Sequence, residues 1–157
     1  MTDTASLTIA RRFNGPPKSA QGGYTAGLLA ARLGGTAGVT LRLPPPLETP
    51  MTVDAESDDL VLRHGDDVIA EAVPAALDLN MPTPPSWDDA VASARTRDSY
   101  AHHIVPTCYG GGPERHAGDG FCIFTGPVVG RDMVAAPWQP DAGSAAAADG
   151  LIAAENI

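Results

Sequence analysis

The sequence predicts an α+β fold, and three observations carry that reading. A single apolar helical pattern, Tyr24 to Leu33, is followed by several short alternating segments rather than by further helix–strand repeats. Strong turn signals separate those segments, His64-Gly65-Asp66-Asp67 above all. Hydrophobic residues make up 43% of the 157-residue chain but aromatics only 5%, so its core must be assembled mainly from Ala, Val, Leu and Ile.

The elements follow in order. Leu7-Thr8-Ile9-Ala10-Arg11-Arg12-Phe13 alternates weakly and reads as a strand. Asn14-Gly15-Pro16-Pro17 is a rigid turn that leads through Gln21 to a double glycine, Gly22-Gly23. A helix is predicted from about Gly22 to Leu33, with Tyr24, Gly27, Leu28 and Ala31 on one face and Gly34-Gly35 ending it. Strands are predicted at Ala37–Leu43, Met51–Glu56, Leu60–Arg63 and Val68–Val73. Pro44-Pro45-Pro46 takes the chain out of the sheet or along its edge. The acidic run Glu56-Ser57-Asp58-Asp59 reads as a solvated turn.

Composition changes beyond Pro74. Met81-Pro82-Thr83-Pro84-Pro85-Ser86 is a rigid linker, and Ser86 is a candidate N-cap for a short helix, Trp87 to Arg97. Strands are predicted again at Gly120–Thr125 and Asp132–Ala136, and a helix at Ala145–Asn156. This divides the chain into a complete unit over residues 1–80, a linker with a short helix over 81–103, and a partial second unit over 104–157. The second unit has a helix but no meander to cover it, so it is expected to be incomplete.

Charge and cysteine usage narrow the function classes. Ten Lys and Arg stand against 19 Asp and Glu, a formal charge of −9. That balance argues against nucleic acid and against an anionic membrane surface as partners. Arg11, Arg12 and Lys18 nevertheless flank the glycine turn and can form a local positive patch. No apolar run reaches the roughly 20 residues of a membrane span, and the N-terminus lacks a secretory pattern. Two cysteines, Cys108 and Cys122, are too few for a disulfide scaffold, so a cytoplasmic protein with reduced thiols is expected.

The chemistry concentrates at the double glycine. The first N–H groups of a helix have no intrahelical partner and lie at the positive end of its dipole. Gly22 and Gly23 leave no side chain in front of them, as an oxyanion site requires; the plainer reading is a tight strand-to-helix turn. Asn14 can bond a substrate carbonyl or water, though such a residue more commonly caps a turn. Tyr24 can line a pocket or join the core. His102, His103, Cys108, His116 and Asp119 match no standard zinc spacing, so neither metal nor cofactor is expected. Cys108 has no evident base at fixed spacing and reads as an inert loop thiol.

Several of these pieces, in this order, resemble the hotdog-fold thioesterase-like superfamily. In the first half they are Phe13-Asn14-Gly15-Pro16, Gln21-Gly22-Gly23-Tyr24, Val39-Thr40-Leu41-Arg42-Leu43-Pro44-Pro45-Pro46-Leu47 and Ile69-Ala70-Glu71-Ala72. In the second half they are Pro106-Thr107-Cys108-Tyr109-Gly110-Gly111-Gly112-Pro113 and Gly118-Asp119-Gly120-Phe121. The resemblance covers most of residues 7–137 and is to a double-hotdog, acyl-CoA thioesterase-like protein whose second repeat is cut short.

That resemblance implies an antiparallel sheet wrapped around a central helix, pairing of hotdog units and hence a homo-oligomer. It also implies an acyl-CoA or other acyl-thioester ligand, its carbonyl polarised at Gln21, Gly22 and Gly23, with Asn14 and Tyr24 as candidate substrate-binding residues. The family's carboxylate often falls where this chain has Ala30, and no Asp or Glu occurs between Lys18 and Leu47. The first helix therefore offers no general base. Asp149 and Glu155, on the predicted terminal helix, are the helix-borne carboxylates of the second unit. Gln21 stands where some relatives have His or Asn, and Gly111 where many carry a second Cys. Three functions are compatible with this pattern: an acyl-CoA thioesterase-like protein first, a non-catalytic acyl-CoA or lipid binder next, and a structural module third.

Overall fold

A computed structural model describes residues 5–96 and 98–140. It is an α+β arrangement in which a helix packs on one face of a five-stranded antiparallel sheet, compatible with a hotdog-like architecture. The strands are β1 (Ala5–Leu7), β2 (Ala37–Leu41), β3 (Met51–Glu56), β4 (Asp59–His64) and β5 (Asp67–Pro74), in spatial order β1-β3-β4-β5-β2. The helix α1 spans Gly22–Leu33 and lies against β2, β4 and β5.

Register explains why this face of the sheet receives the helix. Val53 pairs with Leu62, Leu62 with Ala70 and Ala70 with Leu41, so all four side chains share one row. Leu60, Ala72 and Val39 form the next row. Ala70 and Ala72 are fully buried, and their small side chains let α1 approach β5 closely. Leu29 of α1 and Leu62 of β4 are also fully buried, each contributing about 1.5–3 kcal/mol relative to exposure. The opposite face carries ion pairs, Arg63 with Asp54 and Glu56, and Arg42 with Glu71.

The helix meets the sheet slightly differently from its sequence pattern. Thr25 and Leu29 are its buried residues, whereas Tyr24 and Leu28 are half-buried beside them. The buried stripe is therefore rotated by one residue from the predicted face. Thr25 is tolerated in the interior because its hydroxyl donates to the Gln21 carbonyl at 3.1 Å. Gly34 ends the helix in the left-handed region, φ 79°, with its N–H bonded to the Ala30 carbonyl.

The predicted strand at Leu7–Phe13 is shorter than expected. Pairing ends after Leu7, and Arg11–Phe13 curls into a 3-10 turn closed by the Phe13 N–H on the Ala10 carbonyl. The two hairpins form at the expected places. Glu56 pairs with Asp59 around Ser57-Asp58, and His64 with Asp67 around Gly65-Asp66, where Gly65 takes φ 60°.

In the remaining chain, α2 spans Trp87–Ala94 and is capped by Ser86, whose hydroxyl accepts the Asp89 N–H at 3.1 Å. It stops three residues before Arg97, with Thr96 N–H folded back onto the Ser93 carbonyl. A single turn, α3 (Asp98–Ala101), follows. The expected strand at Gly120–Thr125 does not form. Phe121 and Ile123 donate instead to the carbonyls of Tyr109 and Gly110, and Cys122 takes φ 53°, which breaks the extended alternation. Short strands β6 (Gly126–Pro127) and β7 (Val134–Ala135) pair with each other, the latter within the predicted Asp132–Ala136 segment. The helix expected over Ala145–Asn156, with Asp149 and Glu155, lies outside the described residues.

Candidate functional site

The turn before α1 is built by its own hydrogen bonds. Asn14 bridges to Ala20, Gly15 N–H donates to the Ser19 carbonyl at 2.9 Å, and Ser19 N–H to the Pro16 carbonyl at 3.0 Å. Pro16 and Pro17 fix two backbone angles between those anchors. Gln21 N–H then donates to the Phe13 carbonyl at 2.8 Å, so the chain enters the helix from a defined position.

At the helix start, Gln21 occupies the N-cap position, and its Oε1 accepts the Tyr24 N–H. The role usually taken by Ser, Thr, Asp or Asn is filled here by a longer amide. A Cβ placed on Gly23 would lie 3.2 Å from Gln21 Oε1, so the amide folds across the first turn. A Cβ on Gly22 would lie 2.9 Å from the Leu41 side chain. None of the described hydrogen bonds uses the Gly22 or Gly23 N–H. These two amides lie at the positive end of α1 with no protein acceptor among the described hydrogen bonds.

A loop from the second half packs over this start. A Cβ on Gly110 would lie 3.8 Å from Gln21 Nε2 and 3.9 Å from Cys108 Sγ. The loop is tightly wound: Cys108 N–H donates to the Val105 carbonyl, Gly112 N–H to the Cys108 carbonyl and Glu114 N–H to the Pro106 carbonyl. Tyr109 anchors it, being 2% exposed. Its ring meets Phe13 edge-on at 4.9 Å, Tyr24 at 5.7 Å and Phe121 at 4.6 Å. Phe13 and Tyr24 stack in parallel, 4.0 Å apart. Tyr24 thus forms part of an aromatic cluster that fastens loop to helix.

Asn14 is the second fastening. It is buried, and its Nδ2 donates to the Gly15 carbonyl at 2.7 Å and to Thr107 Oγ1 at 3.1 Å, while its Oδ1 accepts from the Arg115 guanidinium. Its carbonyl takes the Tyr109 N–H at 2.7 Å. Arg115 also donates to the Thr107 carbonyl at 2.8 Å and pairs with Asp119 at 2.9 Å. All of Asn14's side-chain bonding capacity described here is spent on protein groups.

The structure brings Asn14, Gln21, Gly22, Gly23 and Tyr24 into one neighbourhood. It adds three residues that the sequence reading did not single out for this place: Thr107, Tyr109 and Arg115. No spacing rule links Asn14 to Arg115 across 101 positions. An aromatic isolated in a glycine-rich loop was the one available signal, since such a ring commonly anchors the loop. Ala30 sits half-buried on α1, so this helix places no carboxylate near the glycine amides. Among the described residues, no group of three or more His, Cys, Asp and Glu is placed to hold a metal ion. No described helix is long and apolar enough to cross a membrane.

The candidate site thus comprises two backbone amides at a helix N-terminus and the Gln21 side-chain amide beside them, with the loop reaching Gln21 at Gly110. The fold is α+β, and the candidate site lies at the start of its first helix. No family model matches the chain, and neither a curated protein nor a solved structure does.

Proposed function

We propose that this protein is a hotdog-type binder of acyl thioesters, with the ligand's carbonyl oxygen at the amides of Gly22 and Gly23. The observation that carries the reading is the pair of unengaged glycine N–H groups at the start of α1, flanked by the Gln21 amide. A thioester carbonyl is a weak acceptor in water but gains from donors fixed in advance. Asn14 and Tyr24 support the site by holding its walls, and Gln21 supports it by fixing the first turn of the helix.

Binding is favoured over hydrolysis. Efficient hydrolysis calls for a positioned base, worth on the order of 10²–10⁴-fold. Among the described carboxylates near this turn, Asp119 is engaged by Arg115, Glu48 accepts the Arg11 backbone N–H, and Glu114 is exposed and lines a neighbouring cleft whose lining includes none of Gln21, Gly22 and Gly23. Hydrolysis therefore requires a carboxylate from another unit or a partner copy, as in an assembly of paired hotdog units.

The test is a pair of measurements on a panel of acyl-CoAs of increasing chain length. Calorimetric titration reads binding, and release of free CoA reads hydrolysis. Saturable binding with no CoA release is the expected result. Gly23→Ala, whose methyl group would crowd the Gln21 side-chain amide, should weaken that binding about tenfold, the value of roughly one hydrogen bond. A folded protein that binds no acyl thioester of any length would overturn the reading. Rapid CoA release would convert it into the enzymatic one.

A further inference from the structure

A cleft beside the turn that precedes α1 is lined by arginines. Arg11, Arg12 and Pro17 line one side, Thr107 and Arg115 the other, and the space between them is about 380 Å³. Its walls are the same two segments that build the glycine site: the turn leading to Gln21 and the loop that begins at Thr107. Three arginines line this space against two acidic residues, Glu114 and Asp119. On a chain of net charge −9, a local positive excess is a departure from the background.

The ion pairing sharpens that contrast. Arg42, Arg63 and Arg115 each engage a carboxylate. Arg11 and Arg12 do not, among the described residues. The Arg11 backbone N–H is held by Glu48, and its exposed side chain belongs to a residue that lines the cleft. Arg12 donates to the Gly118 carbonyl at 3.1 Å and lies over the Phe13 ring at 5.0 Å, contacts that orient it without neutralising it. Arg115 is spent on Asn14, Thr107 and Asp119, so it shapes the wall and cancels the Asp119 charge. Lys18, in the same turn, is exposed and does not line the cleft.

We propose that this cleft holds the phosphate groups of a phosphorylated thioester carrier, with Arg11 and Arg12 as the phosphate-binding residues. Guanidinium groups suit this task because their planar donors match phosphate oxygens in pairs. The inference rests on the acyl-thioester reading for the carrier's identity, while the phosphate chemistry stands on the arginines themselves. The carrier chemistry it implies is that of CoA, whose nucleotide end carries its phosphates away from the thioester.

Four probes test it at low and moderate salt: an acyl-CoA, the matching acyl-N-acetylcysteamine, which keeps the thioester but has no phosphate, CoA itself, and inorganic pyrophosphate. The expected result is acyl-CoA binding at least tenfold tighter than the truncated thioester. Added salt should weaken acyl-CoA more than the truncated thioester. Arg11→Gln, at an exposed side chain, should erase much of the difference, and Arg11→Gln with Arg12→Gln should abolish it. Circular dichroism and melting of each variant confirm an intact fold; Arg12→Lys, which retains the charge, should restore part of the affinity. Equal binding of both thioesters, or a difference indifferent to Arg11, would overturn the phosphate site and leave the thioester reading standing. Binding of CoA or pyrophosphate that depends on Arg11, with no binding of the truncated thioester, would support the phosphate site while sinking the thioester reading. Failure of all four probes would overturn both.

Discussion

Removing the Asn14 side chain should loosen the second-half loop from the turn before α1, and the structure sets the size of the effect. Asn14→Ala deletes one hydrogen bond to the Arg115 guanidinium and two neutral ones, to the Gly15 carbonyl and Thr107 Oγ1. A bond to a charged group is worth about 1.5–3 kcal/mol and a neutral one about 0.5–1.5 kcal/mol. Entry of water at the vacated place recovers part of this, so a loss of about 3 kcal/mol is expected. The Arg115 side chain is only 10% exposed, which limits how far water can replace Asn14 as its partner. Urea denaturation followed by tryptophan fluorescence measures the loss. A double-mutant cycle with Arg115→Met isolates the shared bond, and a coupling energy of about 1.5–3 kcal/mol is expected. If the two substitutions are additive within about 0.5 kcal/mol, Asn14 and Arg115 act independently and the fastening described above is wrong. Asn14→Asp is the discriminating companion. It keeps an acceptor for Arg115 but loses both donors, so it should fall between wild type and Asn14→Ala.

Two further substitutions test the packing around α2. A Cβ on Gly126 would run into the Ser93 carbonyl oxygen and Thr96 Oγ1, so Gly126→Ala should cost about 1–3 kcal/mol and detach α2 from β6, read as faster amide exchange in α2. Ser86→Ala removes the N-cap of α2 and should cost about 1 kcal/mol in the same denaturation assay, with Ser86→Asp close to wild type.

Local chemistry made much of the first half legible. The helix Gly22–Leu33 follows from an apolar pattern bounded by Gly22-Gly23 and Gly34-Gly35, and it forms over that span. The strands from Met51 to Pro74 follow from alternation and turn residues, because a strand with one buried face must alternate. Ser86 was legible as a cap because its hydroxyl and the Asp89 amide are three residues apart. The buried stripe of α1 was less so. Tyr24 and Leu28 are the larger side chains, yet Thr25 and Leu29 face the sheet, because Tyr24 is drawn aside to stack on Phe13.

The second half followed local pattern poorly. Gly120–Thr125 has the composition of a strand, but its N–H groups at Phe121 and Ile123 find the carbonyls of Tyr109 and Gly110 before they find a sheet. Local propensity yields when a tertiary partner satisfies the backbone better. The candidate site divides the same way. The sequence by itself determined the glycine amides at the head of a helix, because Gly22, Gly23 and the helix pattern are neighbours in the chain. Only the tertiary structure decided what surrounds them. Gln21 turns onto its own helix, Asn14 meets Arg115, Tyr109 fills the gap between Phe13 and Tyr24, and Arg11 and Arg12 face a cleft. The meetings of Asn14 with Arg115 and of Tyr109 with Phe13 join residues about a hundred positions apart, and they are set by which buried polar and aromatic groups can satisfy one another once the sheet has formed.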